Sequence, residues 1–354
     1  MNIPYRTRRV IKRFGTVAFF VAVVLLIAWF CSVVWLERYI VYTRDGAELD
    51  LSLSSNDVVG EVAAPPSPGQ EISIYYNEGE NAIEMSNELV QLDGYYIDTN
   101  TLTNDIAGVW DLLEPLNKGT PIMIDLKGGY GSFYYSSTVP EAMASQSVSV
   151  ASVDELIKHM REQGFYTIAR ISAFRDYNYG LHHVSSGLMH VNRMGLWPDE
   201  GGCYWLNPED PQVISWLISL VNELKNMGFN EVVLTDFRFP GGDKYIYNGD
   251  KAAALASAAQ RILDSCVTHS FTVSFGTTDA TLQVPQGRSR LYLENVEPVN
   301  VGSRASIAGV DNHPVRLVFV AQTNDTRYND YGVLRPITAS EILEAQKAAQ
   351  EENK

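Results

Sequence analysis

Two stretches of this chain share one grammar: a helical pattern, a glycine, a phenylalanine, then an apolar run rich in β-branched residues. Gly164-Phe165 leads into Tyr166-Thr-Ile-Ala-Arg-Ile-Ser-Ala-Phe174, and Gly228-Phe229 leads into Glu231-Val-Val-Leu234. Glycine suits a helix end because it accepts the left-handed backbone found there. A short apolar run bounded by turn residues reads as a strand buried on both faces. Helix and strand in alternation imply a parallel sheet with right-handed crossovers.

The remaining elements extend that pattern. Ser152-Val-Asp-Glu155 reads as a capping box that opens a helix running through Met160. Asn207-Pro208 opens another, whose apolar face is Trp216, Leu217, Leu220, Val221 and Leu224. Lys251 to Cys266 is Ala-rich and helical. Core strands are expected at 94–100, 121–127, 166–174, 231–234, 271–275, 290–294 and 315–320, and a further helix from Thr338. The predicted fold is α/β: a (β/α)8, TIM-like barrel, distorted or incomplete in its C-terminal half, where the connections after Phe275 and Glu294 carry little helix pattern. Glu71-Ile-Ser-Ile-Tyr-Tyr76 is the candidate for the missing strand of the eight such a barrel needs. A doubly wound open sheet is the competing architecture. No Gly-x-Gly-x-x-Gly follows any strand, so a dinucleotide site has no support.

The N-terminus follows different rules. Residues 1–13 carry Arg6, Arg8, Arg9, Lys12 and Arg13 and are expected to stay in the cytoplasm. Residues 14–36 hold no charge and are long enough to span about 30 Å of hydrocarbon as a transmembrane helix. A cleaved signal peptide has a shorter apolar core, about 7–15 residues, and small residues at its end. Residues 37–70, with Ala63-Ala-Pro-Pro-Ser-Pro-Gly69, read as an extracytoplasmic stalk, and residues 71–354 as the barrel domain. The expected localisation is therefore the cell membrane, single-pass, with the C-terminal domain outside. A net charge of -15 argues against nucleic acid as a partner. Cys203 and Cys266 fall at opposite mouths of the predicted barrel, so no bridge is expected between them. The sequence sets no oligomeric state.

Ionisable residues gather where the strands end. They are Asp125 and Lys127, Arg170, Asp236 and Arg238, and Glu294. Residues two apart on a strand share a face, so Asp125 with Lys127, and Asp236 with Arg238, are expected to point together into the mouth. A charge inside a barrel is costly unless it is paired. An ion-pair network is therefore predicted, one that either closes the barrel or tunes carboxylates for chemistry. Asp236 with Glu294 is the preferred catalytic pair, and Asp125 with Asp236 the next. His182, His183 and His190 lack a matching carboxylate motif, so neither a metal site nor a metal-dependent deacetylase is assigned, and no cofactor is called for. Trp197, Tyr204 and Trp205 in the same loop could stack on sugar rings or anchor the loop.

Several motifs occur in a recognisable order: Asp125-Leu-Lys127, Gly131-Ser-Phe-Tyr-Tyr135, Ala169-Arg-Ile-Ser-Ala-Phe-Arg-Asp176, Trp205-Leu-Asn-Pro208, and Gly228 to Pro240. The set resembles the bacterial "putative glycosyl hydrolase domain" family, relatives of α-amylase-type barrels. The resemblance implies catalytic roles centred on Asp236, with Lys127, Arg170, Arg175, Asp176, Trp205 and Arg238 around a glycan. It departs from the family at Gly128-Gly129-Tyr130, where acids are usual, and from α-amylases at Leu234. The expected function is a membrane-anchored extracytoplasmic glycoside hydrolase acting on an envelope or environmental glycan. The alternative is a catalytically inactive barrel that binds polysaccharide or a protein partner in the envelope.

Overall fold

The computed structural model describes residues 89–338 and, by backbone alone, a short hairpin in which Ile40–Thr43 pairs antiparallel with Gly46–Leu49. The predicted transmembrane segment, most of the stalk, the candidate strand at 71–76 and nearly all of the helix expected from Thr338 lie outside the described residues. Among the described residues, no helix is long and apolar enough to cross a membrane.

Eight parallel strands close on themselves. In chain order they are β1 (Asp93–Ile97), β2 (Pro121–Lys127), β3 (Tyr166–Ser172), β4 (Glu231–Thr235), β5 (Thr272–Thr277), β6 (Leu291–Glu294), β7 (Leu317–Val320) and β8 (Gly332–Pro336). Each pairs with its successor, and β8 pairs with β1. The barrel is thus complete, and the open sheet is excluded. Its eighth strand is Gly332–Pro336, five residues that start with Gly and end in Arg-Pro, too interrupted to stand out as an apolar run. Gly94 in β1 permits a close approach to β2, since a Cβ there would overlap the Pro121 carbonyl oxygen.

The helical layer is uneven, as the weak patterns after Phe275 and Glu294 predict. Helices α1 (Thr99–Asn104) and α2 (Ile106–Leu113) follow β1, and α3 (Val150–Glu162) follows β2. Next come α4 (Tyr177–His182) and α5 (Pro211–Asn226) after β3, then α6 (Lys251–Cys266) after β4. No α-helix separates β5 from β6 or β7 from β8, and only the short α7 (Val301–Ser306) and α8 (His313–Arg316) follow β6. Two helix starts differ from the sequence reading. Ser149, not Ser152, caps α3, and Asp210 caps α5 by accepting from the Gln212 N–H, with Pro211 in the first turn. Asp210-Pro211 outcompetes Asn207-Pro208 because the side chain and the ring are both used at the helix entry.

Strand alternation splits the core in two. Val232 and Leu234 of β4 pack outward with helix residues such as Leu217, Leu220 and Ile262. Val233 points inward with Met123, Ile168, Tyr292, Val318 and Leu334. Below this apolar layer sits a charge. Glu231 is fully buried and accepts from Tyr166 OH at 2.9 Å, Tyr292 OH at 2.9 Å and the Ser274 hydroxyl, and it pairs with the buried Arg290. Burial opposes the charge on Arg290, but Glu231, Tyr166 and Tyr292 together outweigh it and hold the guanidinium above its ordinary pKa. Arg290 also donates to the carbonyls of Val90 and Val315, so this pair knits the barrel floor. Cys203 and Cys266 are free thiols, both buried.

Glu231→Ala leaves the Arg290 charge buried without a partner and should cost about 3–5 kcal/mol in a denaturant unfolding curve. Replacing both residues with apolar ones of similar volume should cost clearly less; equal losses would show that the ion pair itself is not the issue.

Candidate functional site

The inward positions at the top of the barrel repeat the floor's solution with a larger cluster. Arg170 on β3 lies between two acids. Its Nη1 donates to Asp125 Oδ1 at 2.7 Å, and its Nε donates to Glu294 Oε1 at 2.9 Å. Tyr96 OH donates to Asp125 Oδ1 at 2.8 Å, while the Thr99 N–H and hydroxyl donate to Asp125 Oδ2 at 2.8 and 2.7 Å. Both oxygens of Asp125 are therefore occupied, two donors to each. Thr235 donates to Glu294 Oε1 at 2.7 Å, and no hydrogen bond to Oε2 occurs among the described residues. Burial works against the charge on Arg170, but Asp125, Tyr96 and Glu294 together hold its pKa well above the ordinary arginine value. Burial, then the Asp125 charge, push the Tyr96 hydroxyl up, so it remains a donor. Tyr96, Thr99, Asp125, Arg170 and Glu294 line a hollow of about 270 Å³ with Asn100, Asn295 and Gln322. The Arg170 and Glu294 side chains keep 21% and 15% of their surface exposed, so the hollow reaches both.

Lys127 does not join them. The β2–β3 register shifts between Asp125 and Lys127, and Lys127 falls opposite the outward-facing Ile171. A bulge of this kind reverses which face the next side chain takes. Lys127 is buried outside the barrel, 2.7 Å from Asp176 Oδ2, donating to the Ser172 carbonyl and lying 5.0 Å from the centre of the Trp216 ring. Asp176 also caps α4 through the Tyr179 N–H. Both sequence-predicted glycan contacts, Lys127 and Asp176, are thus sealed positions that brace the loop after β3.

Asp236 follows the last residue of β4 and has a left-handed backbone, φ 52°. That turn breaks the two-residue alternation, so the expectation that Asp236 and Arg238 share a strand face is corrected. Asp236 is half-buried, and its Oδ2 accepts from the Ser172 hydroxyl at 2.9 Å. Its other oxygen has no hydrogen bond, and it makes no ion pair, among the described residues. Strained backbone of this kind gathers at functional positions, although Asp tolerates it better than most residues.

Arg175, Trp205 and Arg238 form the other side of the mouth around an acid that the sequence did not single out. Asp199 accepts from Arg175 Nε at 2.6 Å, from the Cys203 N–H at 2.9 Å and from the Trp205 indole at 3.1 Å. Burial pushes Asp199 up, but these hydrogen bonds, led by Arg175, outweigh it and hold the carboxyl below its ordinary value near 3.8. Trp205 is 2% exposed and carries the Arg238 guanidinium 4.6 Å from its ring centre. Of the two roles open to it, stacking on a sugar ring or anchoring the loop, so buried a ring fits the second. The loop histidines go to separate partners: His182 to the Asn178 carbonyl, His183 to Glu141, and His190 to the Asn192 N–H.

The strand ends thus bring Asp125, Arg170 and Glu294 together, set Asp236 beside Ser172 at the end of β3, and separate Lys127 and Asp176 from them. Tyr96, Thr99 and Thr235 went unnoticed in the sequence. Parity and strand-end position could have found Tyr96 and Thr235, but nothing local marks Thr99 or Asp199.

This geometry defines a class: a closed parallel (β/α)8 barrel with its polar cluster at the C-terminal mouth, where such barrels carry their sites. Residues 94–268 match the family described as "Putative glycosyl hydrolase domain". Among solved structures, a hypothetical protein from Ruminiclostridium thermocellum ATCC 27405 is 20% identical, with a TM-score of 0.45 over 51% of this chain and 96% of that one. The GH36 α-galactosidase AgaB from Geobacillus stearothermophilus is 11% identical, TM-score 0.48, covering 74% and 41% of the two chains. The α-galactosidase from Lactobacillus brevis is 9% identical, TM-score 0.49, covering 75% and 40%. The chain thus spans about two fifths of those galactosidases. No curated protein matches the sequence.

Arg170→Met should leave Asp125 and Glu294 without their shared cation and destabilise the fold by roughly 3 kcal/mol, read from denaturant midpoints. A second outcome concerns pH. The folded pKa of Asp199 is depressed, so its stabilisation is present above ~4 and lost as pH falls through the folded value. Trp205 fluorescence should report loosening of its loop on acidification below that range, and Asp199→Asn should remove the transition.

Proposed function

We propose that the protein is a glycoside hydrolase acting on a glycan outside the membrane, with Asp236 and Glu294 as its two carboxyls. One observation carries this reading: at the barrel mouth, Asp236 and Glu294 each keep one oxygen without a hydrogen bond among the described residues, whereas Asp125 has both oxygens filled. A carboxylate that must attack carbon or move a proton needs a free lone pair; one with every site taken is a support. Asp125 thus changes from catalytic candidate to the anchor of Arg170.

In this mechanism Asp236 attacks the anomeric carbon or stabilises its positive charge. Glu294 protonates the leaving oxygen and then takes a proton from the incoming water. Arg170 and Thr235 fix the orientation of Glu294, and Ser172 that of Asp236. Preorganised donors of this kind avoid reorganisation during the reaction. The uncharged run at 14–36, with its basic N-terminal flank, supports a membrane-anchored placement with the barrel extracytoplasmic.

One feature favours a second reading, a barrel that binds glycan without cleaving it. Arg170 ties two mouth carboxylates, Asp125 and Glu294, into one ion-paired set. Release of reducing ends from a panel of neutral and acidic polysaccharides separates the two readings. Asp236→Asn and Glu294→Gln should each lower turnover by about 10²–10⁴-fold with binding retained. Turnover equal to wild type would remove that residue from the mechanism, and glycan binding without product from the wild type would establish the binding barrel.

A further inference from the structure

Beside Asp236 runs a groove of about 690 Å³, within the usual size range of small-ligand pockets, lined by Trp197, Glu200, Trp205, Arg238, Gly242 and Lys244 among others. Its charges are unequal in kind. Asp199 also lines it but is consumed: Arg175, the Cys203 N–H and the Trp205 indole fill its two oxygens. Glu200, Asp243 and Lys244 are exposed at its edges. Arg238 alone among the groove's unpaired charges is held in place, half-buried, with its guanidinium on the Trp205 ring. It makes no ion pair among the described residues. Among the described residues its guanidinium makes one hydrogen bond, a long donation, 3.3 Å, to the Phe239 carbonyl. A guanidinium has five N–H donors, so most of this fork is unspent.

Position links the groove to the proposed chemistry. Arg238 lies two residues past Asp236, and its N–H donates to the Asp236 carbonyl at 2.9 Å. The groove thus takes its fixed cation from the segment that directly follows Asp236. A fixed, planar, unpaired fork matches a carboxylate bidentately, which a hydroxyl cannot reproduce. The chain's overall negative charge does not forbid an anionic ligand, because exposed charges beyond about 8 Å are largely screened at physiological salt.

We infer that Arg238 is the specificity residue for an acidic saccharide: the groove receives a uronic-acid unit whose carboxylate pairs with the guanidinium clamped on Trp205. This rests on the glycan reading above and narrows it to a substrate class. The test is calorimetric binding by the full chain of tetragalacturonate and of tetraglucuronate, each beside its carboxyl-reduced neutral counterpart. At least one acidic form should bind tenfold or more tightly than its neutral partner, with the preference shrinking as salt rises. Arg238→Gln should erase the preference, and Arg238→Lys, which keeps the charge but loses the fork, should retain only part of it. An unshifted thermal midpoint and an unchanged far-ultraviolet circular dichroism spectrum would show that the variants are folded.

Equal affinity for acidic and neutral forms, or a preference that survives Arg238→Gln, would overturn the assignment and leave the glycan reading standing. Failure of all four oligosaccharides to bind would overturn it as well. Reducing-end release from neutral polysaccharide that is lost in Asp236→Asn would then show that the hydrolase reading survives alone.

Discussion

Closure of the ring is the constraint on which the rest depends. β8 must pair with β1 across almost the whole length of the described domain, and that contact turns a row of parallel strands into a barrel with an inside. Parallel strands expose unpaired backbone groups at any open edge, and closure removes both edges at once. The approach of β1 to β2 depends on the missing side chain at Gly94. Once closed, the barrel has a narrow interior in which every inward residue meets residues from other strands, and the placement of charge becomes decisive.

The interior resolves this in three levels. Glu231 with Arg290 neutralises the floor, an apolar layer around Met123, Ile168 and Val233 fills the middle, and Arg170 holds two acids at the top. Buried charges of one sign would be costly, and each cation is matched to acids from other strands. The floor is sealed, with every Glu231 oxygen engaged. The top is open to a hollow, with acceptor capacity left on Glu294. The two ends use the same chemistry, and exposure separates a structural plug from a candidate site.

The mouth is asymmetric because the connections are. After β5 and after β7 no α-helix precedes the next strand. After β3 the chain makes a long excursion through α4 and the loop carrying Asp199, Trp205 and the three histidines. That excursion rests on the buried Lys127–Asp176 pair and on Asp199, which gathers donors from Arg175, Cys203 and Trp205. Arg238 emerges against it. One side of the mouth is thus a compact polar hollow and the other a broader groove, with Asp236 at the end of β4 next to Ser172.

Local sequence determined the alternation of helix and strand, seven apolar strands and the acidic and basic residues at their ends, because those signals are periodic and lie within one element. It also marked the second half as poor in helix. The five-residue β8 escaped notice because its identity as a strand comes from its partners, not from its own composition. Only the tertiary structure decided which charges meet. A one-residue bulge sent Lys127 out of the barrel, a left-handed turn at Asp236 broke the strand parity assumed for Arg238, and register across strands set Arg170 between Asp125 and Glu294. Facing direction within a strand is a local property, but bulges, turns and register arise from pairing between distant segments, and no short stretch of sequence contains them.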